Sequence, residues 1–243
     1  MEVKKADDYQ TWFLEEENHG ILIDPWLDNK LVDGKGFLLQ REKEIKSHLS
    51  EAELNIIKSI IITAPFEDHL HLNTIAMFPE AKIYTTLQVK KILQRKKIQN
   101  EINVISNKET LIGPFFIESY KAGFPYNTAA ISLLIKNKHN KSVFHEGHVA
   151  NLNEIKKFNL KADVAILTSE EVKFLGILPL GMNNTKALKT CNLLGAKELM
   201  ITGSKPSKTK GFITNFLSMG EFDKALLQEN IKVHYEAGSY VQI

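Results

Sequence analysis

Cysteine is nearly absent: Cys191 is the only one in 243 residues. No intrachain disulfide can form, and the lack of cysteine pairs fits a reducing compartment, so a cytoplasmic location is expected. Long hydrophobic runs are missing as well. None approaches the roughly 20 apolar residues that span a bilayer, and the opening Met-Glu-Val-Lys-Lys-Ala-Asp-Asp has no hydrophobic signal region. No membrane partner is expected. Nor does charge of one sign dominate: 31 basic against 29 acidic residues leave a formal net charge of +2, which gives no electrostatic footing for nucleic acid as a partner. No Pro-, Gly- or Ser-rich linker divides the chain, so one domain over residues 1–243 is expected. What remains is an ordinary globular composition, 43% hydrophobic and 25% charged, long enough to bury a full core.

Hydrophobic patterning supplies the layout. Residues 9–14 and 20–23 read as a hairpin of two short strands. Asp24 follows, just before Pro25, which cannot continue a ladder. Residues 28–35 read as loop and 37–46 as helix, and Ser50 with Glu53 as a capping box. The run 56–63 is a buried strand. After it come a short helix over 72–77, a strand over 82–85 and a helix over 86–97. Short strands are expected at 103–106, 109–112 and 115–121, and a strand pair at 129–136 and 142–144 across a polar turn. Further on, 151–158 and 184–194 read as helices, the second stopped by Gly195. Residues 163–167, 198–201 and 231–235 read as strands, and 210–217 and 221–228 as helices. The lysine-rich stretch 90–97 is the solvated face of an amphipathic helix. Strand-rich stretches that pass into strand–helix alternation predict an α/β fold, an αββα sandwich of two mixed β-sheets packed face to face with helices on the outer faces.

Polar clusters repeatedly follow predicted strands: Asp24, then Glu67-Asp68-His69-Leu70-His71, then His145-Glu146-Gly147-His148, then 168–171 and 202–205. In layered α/β folds, loops at one sheet edge converge on a site. Two of these loops hold four of the eight histidines. Carboxylate oxygen with imidazole nitrogen suits zinc, iron or manganese. Plainer roles stand beside these: Asp24 can close a turn, and Asp68 can cap the helix at 72. Asp163 opens a buried strand, where an unpaired carboxylate is costly, and is expected to bond a loop amide or border the site. The basic residues Lys205 and Lys208 offer a hold for an anionic group.

Thr63-Ala64-Pro65-Phe66-Glu67-Asp68-His69 resembles the Thr-His-x-His-x-Asp-His signature of the metallo-β-lactamase superfamily, and Gly20-Ile21-Leu22-Ile23-Asp24-Pro25 resembles its first motif. The later strand–helix–strand order, from Asp163 through Gly195-Ala196-Lys197, is similar too, so the resemblance spans nearly the whole chain. Ala64 and Phe66 stand where the first two metal histidines are expected, and Gly123 or Phe124 where the third is. Gly147-His148 replaces the usual Gly-Asp, and Thr202-Gly203 the final histidine. The sequence is most similar to a divergent branch found in cyanobacteria and chloroplasts. That branch carries Asp-His-x-His, as in Asp68-His69-Leu70-His71, and an aromatic-Glu-Pro-His segment, matched by Phe144-His145-Glu146-Gly147-His148. It also has a Lys-Gly-Phe-like segment, comparable to Lys210-Gly211-Phe212.

The resemblance implies a hydrolase-like protein with a rearranged site and one Zn or Fe ion. Asp68, His69, His71 and His148 would be ligands, and Asp24 would orient a ligand histidine. Asp68 and Glu146 would be catalytic, and Lys205 and Lys208 would hold substrate. The substrate would be a small-molecule ester, amide or phosphoester. The alternative is a non-catalytic binding or scaffold protein on the same fold, with no cofactor.

Overall fold

The computed structural model describes all residues except 34–35, 44–46, 107, 204–207 and 222–229. In chain order its elements begin with strands β1 (Glu2–Lys5), β2 (Trp12–Glu16), β3 (His19–Ile23), β4 (Lys30–Asp33) and β5 (Leu39–Glu42). Then follow helix α1 (Glu51–Asn55), β6 (Ile57–Ile62), α2 (Leu72–Ala76), β7 (Lys82–Thr85) and α3 (Leu87–Arg95). The middle of the chain gives β8 (Ile102–Val104), β9 (Thr110–Ile112), β10 (Phe115–Lys121), β11 (Ile131–Asn137), β12 (Ser142–His145) and α4 (Leu152–Lys157). Next are β13 (Val164–Leu167), β14 (Val172–Phe174), β15 (Leu178–Pro179), α5 (Asn184–Leu194) and β16 (Glu198–Ile201). The chain closes with β17 (Lys208–Lys210), a 3-10 helix (Phe212–Phe216), β18 (Leu217–Met219), β19 (Lys232–His234) and β20 (Tyr240–Gln242).

Two seven-stranded mixed sheets form the body, in the orders β20-β1-β2-β3-β6-β7-β8 and β19-β16-β13-β12-β11-β10-β9. Alternation along each strand divides the side chains between two apolar layers. Trp12 and Leu14 of β2, Ile61 of β6, and Val164 and Ile166 of β13 meet in the core between the sheets. Their neighbours Phe13, Ile60 and Ile62 instead meet Ile75 of α2 and Val89 and Leu93 of α3 on one outer face. Ala165 and Leu167 meet Ile155 of α4 and Ala187, Cys191 and Leu194 of α5 on the other. Strands covered on both faces have no polar side to show, which is why β13 and the Ile60–Ile62 half of β6 read as apolar runs. The expected αββα sandwich is the observed architecture.

The topology fixes where loops can converge. Strands β3, β6 and β7 run parallel in one sheet, and β12, β13 and β16 in the other. Their C-terminal ends therefore deliver Asp24, Asp68, His148, Thr168 and Thr202 to the rim of the sandwich. The two layers are tied there: Trp12 Nε1 donates to Thr202 Oγ1 at 2.9 Å, and the Ile131 amide donates to the Thr63 carbonyl at 3.1 Å.

Three expectations fail in the segments that flank this rim. Residues 37–46 contain a strand, β5, rather than a helix, and 30–33, expected as loop, is its partner β4. Pairing with both β4 and β17 overrides local helix preference. Residues 210–217 also do not form the expected α-helix. Gly211 sits at φ 122°, and a Cβ there would lie 2.4 Å from the Leu38 carbonyl oxygen, so the chain breaks into β17, a single 3-10 stretch and β18. The helix expected at 221–228 lies, except for its first residue, outside the described residues. Strands β1, β14, β15 and β20 had no counterpart in the expectations.

Candidate functional site

Asp24 is 1% exposed and sits at positive φ, 48°. It accepts the Thr63 amide at 2.7 Å on Oδ1, and the Thr63 hydroxyl at 2.5 Å on Oδ2. The same Oδ2 lies 2.7 Å from His69 Nδ1. A carboxylate only accepts, so the imidazole presents Nδ1–H to Asp24 and turns Nε2 the other way. Burial pulls the His69 pKa down, but the charge and hydrogen bond of Asp24, with Asp68 nearby, more than reverse this and leave it above 6.5. Asp24 thus fixes the orientation of the His69 ring.

His69 Nε2 is buried and makes no hydrogen bond. It belongs to a small cavity of about 20 Å³ lined by Gln10, Asp24, His69, His145, Glu146, Gly147, His148, Thr168 and Thr202. That volume suits about one water molecule. A second bare atom belongs to the same lining. Glu146 is fully buried; its Oε1 accepts the Thr168 amide at 2.7 Å, while Oε2 has no partner. Burial pushes the Glu146 carboxyl up to about 8, so at neutral pH it carries a proton. His145 Nδ1 accepts the Gly147 amide at 3.1 Å, and burial lowers its pKa to about 4. Gly147 is a steric requirement: φ is 75°, and a Cβ there would lie 2.0 Å from the Ile131 carbonyl oxygen.

His148 separates this inner cavity from an outer cleft of about 130 Å³ and lines both. Its ring stacks on Tyr126, with centroids 3.9 Å apart and planes 5° from parallel, and lies 4.6 Å from the His69 ring. Burial lowers its pKa to about 3, which leaves it neutral. Tyr9, Arg41 and Asp68 line the cleft beside it. Asp68 accepts the Tyr9 hydroxyl at 3.0 Å and lies 3.6 Å from an Arg41 nitrogen. Burial alone would raise its pKa, but Arg41, His69 and the Tyr9 hydroxyl together hold it well below the usual carboxylate range.

The rim thus collects Asp24, Asp68, His69, Glu146 and His148. It does not collect His71, which caps α2: Nδ1 meets Thr74 at 2.9 Å, and Nε2 lies 3.6 Å from Asp28. The cap expected of Asp68 therefore belongs to His71, and the ligand role expected of His71 is corrected. Lys208 is exposed and stands opposite Glu42 in the ladder, while its neighbour Thr209 lines the cleft. Alternation turns Lys208 away from the cleft, which corrects its substrate-binding assignment. Lys205 lies outside the described residues. Asp163 accepts the amide of Ser142, the first residue of β12, at 2.8 Å, a strand amide rather than the loop amide expected for it.

Arg41 and Tyr9 were not singled out from the sequence. Arg41 stood in the supposed helix, and Tyr9 read as a strand residue. Leu39-Gln40-Arg41-Glu42 holds a single apolar residue, so no alternation marked Arg41 as a strand residue.

No protein-family model matches the sequence, and no curated protein matches it. Solved structures do. An isothiocyanate hydrolase from Delia radicum gut bacteria superposes with a TM-score of 0.73 at 16% identity, covering 100% of this chain and 99% of that one. A possible metal-dependent hydrolase from Veillonella parvula gives 0.76 at 14% identity, again covering 100% and 99%. The metallo-β-lactamase fold protein YhfI from Bacillus subtilis gives 0.67 at 14% identity, with 99% of each chain covered. The chain has the metallo-β-lactamase fold. Asp24 follows β3, and Asp68 and His69 follow β6, in the two segments that carried the sequence resemblance.

A zinc or iron ion needs three or four protein ligands. Among the described residues, no group of three or more His, Cys, Asp and Glu side chains is placed to hold one. Asp68 is engaged by Tyr9, and both nitrogens of His71 face Thr74 and Asp28. The residues of this metallo-β-lactamase fold do not fit the expected ion. Among the described residues, no helix is long and apolar enough to cross a membrane.

Proposed function

We propose that the protein is a hydrolase-like metallo-β-lactamase-fold protein that cleaves a small-molecule ester, amide or phosphoester by acid–base chemistry on its own side chains. The observation that carries this reading is that His69 and Glu146 line one cavity and each keeps a buried polar atom, Nε2 and Oε2, without a hydrogen bond. His69 with its proton on Nδ1 is a base at Nε2, and Asp24 stabilises the imidazolium that forms. Glu146, protonated at neutral pH, is the acid. Water gives its proton to His69 Nε2 and its oxygen to the substrate carbon or phosphorus. The bond to the leaving group breaks, and that group takes the Glu146 proton. Proton return from His69 to Glu146 through solvent closes the cycle. Substrate occupies the outer cleft, and Asp68, clamped by Tyr9 and Arg41, shapes it.

The test uses chelator-treated protein with chromogenic acyl esters and an aryl phosphodiester. Turnover should survive chelation, rise as pH climbs through the raised His69 value and the ring sheds its proton, and fall above about 8 as Glu146 ionises. His69→Ala and Glu146→Gln should each lose about two orders of magnitude. One zinc or iron per chain, with turnover that chelation abolishes and the metal restores, would overturn this and return the site to the metal chemistry expected from the sequence.

A second reading, a non-catalytic binding protein of a divergent branch, is favoured by Ala64 and Phe66 at the expected histidine positions. It predicts ligand retention with no turnover on any ester.

A further inference from the structure

The small sheet β15-β14-β18 carries an apolar face that no core covers. Val172 stands opposite Met219, and Phe174 opposite both Leu217 and Leu178. Residues directly opposite in antiparallel strands share a face. Val172, Phe174, Leu178, Leu217 and Met219 therefore lie on one side, and Lys173 with its partners Pro179 and Ser218 on the other. The Leu180 amide donates to the Val172 carbonyl at 2.7 Å, which sets Leu180 beside Val172. Not one of these six apolar residues is buried.

Four of them, Val172, Leu180, Leu217 and Met219, line the outer cleft. The hydrogen-bonding liners come from elsewhere: Tyr9, Asp68, Tyr126 and His148 stand on strand-end loops of the two large sheets, and Arg41 and Thr209 on the β5–β17 pair. The cleft consequently has one hydrocarbon wall and one polar wall, joined where the Tyr126 hydroxyl donates to the Leu180 carbonyl at 3.3 Å. The hydrocarbon wall runs outward through Met219, 37% exposed, and the β14–β15 turn holds Ile177 at 85%. A polar-only ligand would leave this wall wet along its whole length.

We propose that the cleft takes an amphiphilic small molecule. Its linear hydrocarbon tail lies on the wall of Val172, Leu180, Leu217 and Met219, and its polar group turns toward Tyr126 and His148. This rests on the hydrolase reading only for what happens to the polar group afterwards; occupancy of the wall does not depend on turnover.

The whole protein is titrated with neutral primary alcohols from butanol to octanol, with methyl chemical shifts as the readout. Each added methylene should tighten binding about three- to fourfold, with the largest shifts at Val172, Leu180, Leu217 and Met219. Met219→Lys, at a partly exposed position where folding is retained, should weaken octanol more than tenfold while Met219→Leu restores it. Affinity independent of tail length overturns the proposal. So does octanol binding unaffected by Met219→Lys, or a dimer held by this face that Met219→Lys dissociates. If tail-length dependence fails while ester turnover persists, the hydrolase reading stands alone. If it holds with no turnover on any substrate, the amphiphile site stands alone.

Discussion

Replacing Asp24 by Asn tests the centre of the site with little change of shape. The carboxylate accepts three hydrogen bonds, two from Thr63 and one from His69, at 2.5 to 2.7 Å. The amide keeps one acceptor for the Thr63 N–H. Where Oδ2 stood, an NH2 group would face the Thr63 hydroxyl and the His69 Nδ1–H, donor against donor. The hydroxyl can rotate. The imidazole must move its proton to Nε2, and any charged form of the ring loses its counter-ion. A hydrogen bond to a charged group contributes about 1.5–3 kcal/mol, so the variant should lose about 2–4 kcal/mol in all. For a chain of this length that is a fall of about 5–15 °C in Tm, read by circular dichroism.

The pH dependence supplies a second check. The folded-state pKa of His69 is raised above 6.5. The stability this provides is fully present below 6.5 and is lost as pH rises through the folded value. The gap between wild type and Asp24→Asn should therefore be widest near pH 6 and narrow toward pH 9. It should not close, because the Thr63 hydroxyl has its carboxylate acceptor in the wild type only. A variant within about 1 °C of wild type, or a gap that widens with pH, would refute the account of Asp24 as the charged partner of His69.

Two further substitutions probe the supports of the rim. Lys43 and Asp7 form an ion pair at 2.7 Å with both side chains fully buried, and Asp7 also accepts the Tyr9 and Thr11 amides. Lys43→Met should cost about 3–5 kcal/mol in urea denaturation because it strands the carboxylate, and an unchanged midpoint would show the pair to be dispensable. Gly147→Ala should cost about 1–3 kcal/mol or more from its left-handed backbone alone. The added Cβ also presses on Ile131, so the variant should lose turnover before it loses the fold in thermal scans, and full activity would contradict the steric argument.

The layered architecture was legible because double burial leaves a local trace. β13 and the C-terminal three residues of β6 and β16 are apolar on both faces, and α5 is bounded by Asn183 at one end and Gly195 at the other. The alignment of Asp24 with His69 was legible for a related reason: both follow apolar parallel strands, and such strands end at one edge. Arg41 was not, because a four-residue strand held by two neighbours has no local signature stronger than its helix propensity. His71 was misjudged because a histidine two residues after another invites a ligand reading. Whether its Nδ1 caps a helix depends on backbone angles that sequence spacing does not carry. The unfilled face of β14, β15 and β18 was invisible for the opposite reason, since three strands of two or three residues are too short to register as alternation.

The ties across the rim have a consequence for how molecules reach the buried histidine. The Trp12 indole, the Ile131 amide and the Gly203 amide each cross between elements there, to Thr202, Thr63 and Tyr9. Prising the sandwich apart at this end would strip three donors of their partners. Traffic is therefore confined to the doorway flanked by Tyr126 and His148, and those three hydrogens should be among the slowest in the chain to trade with deuterium.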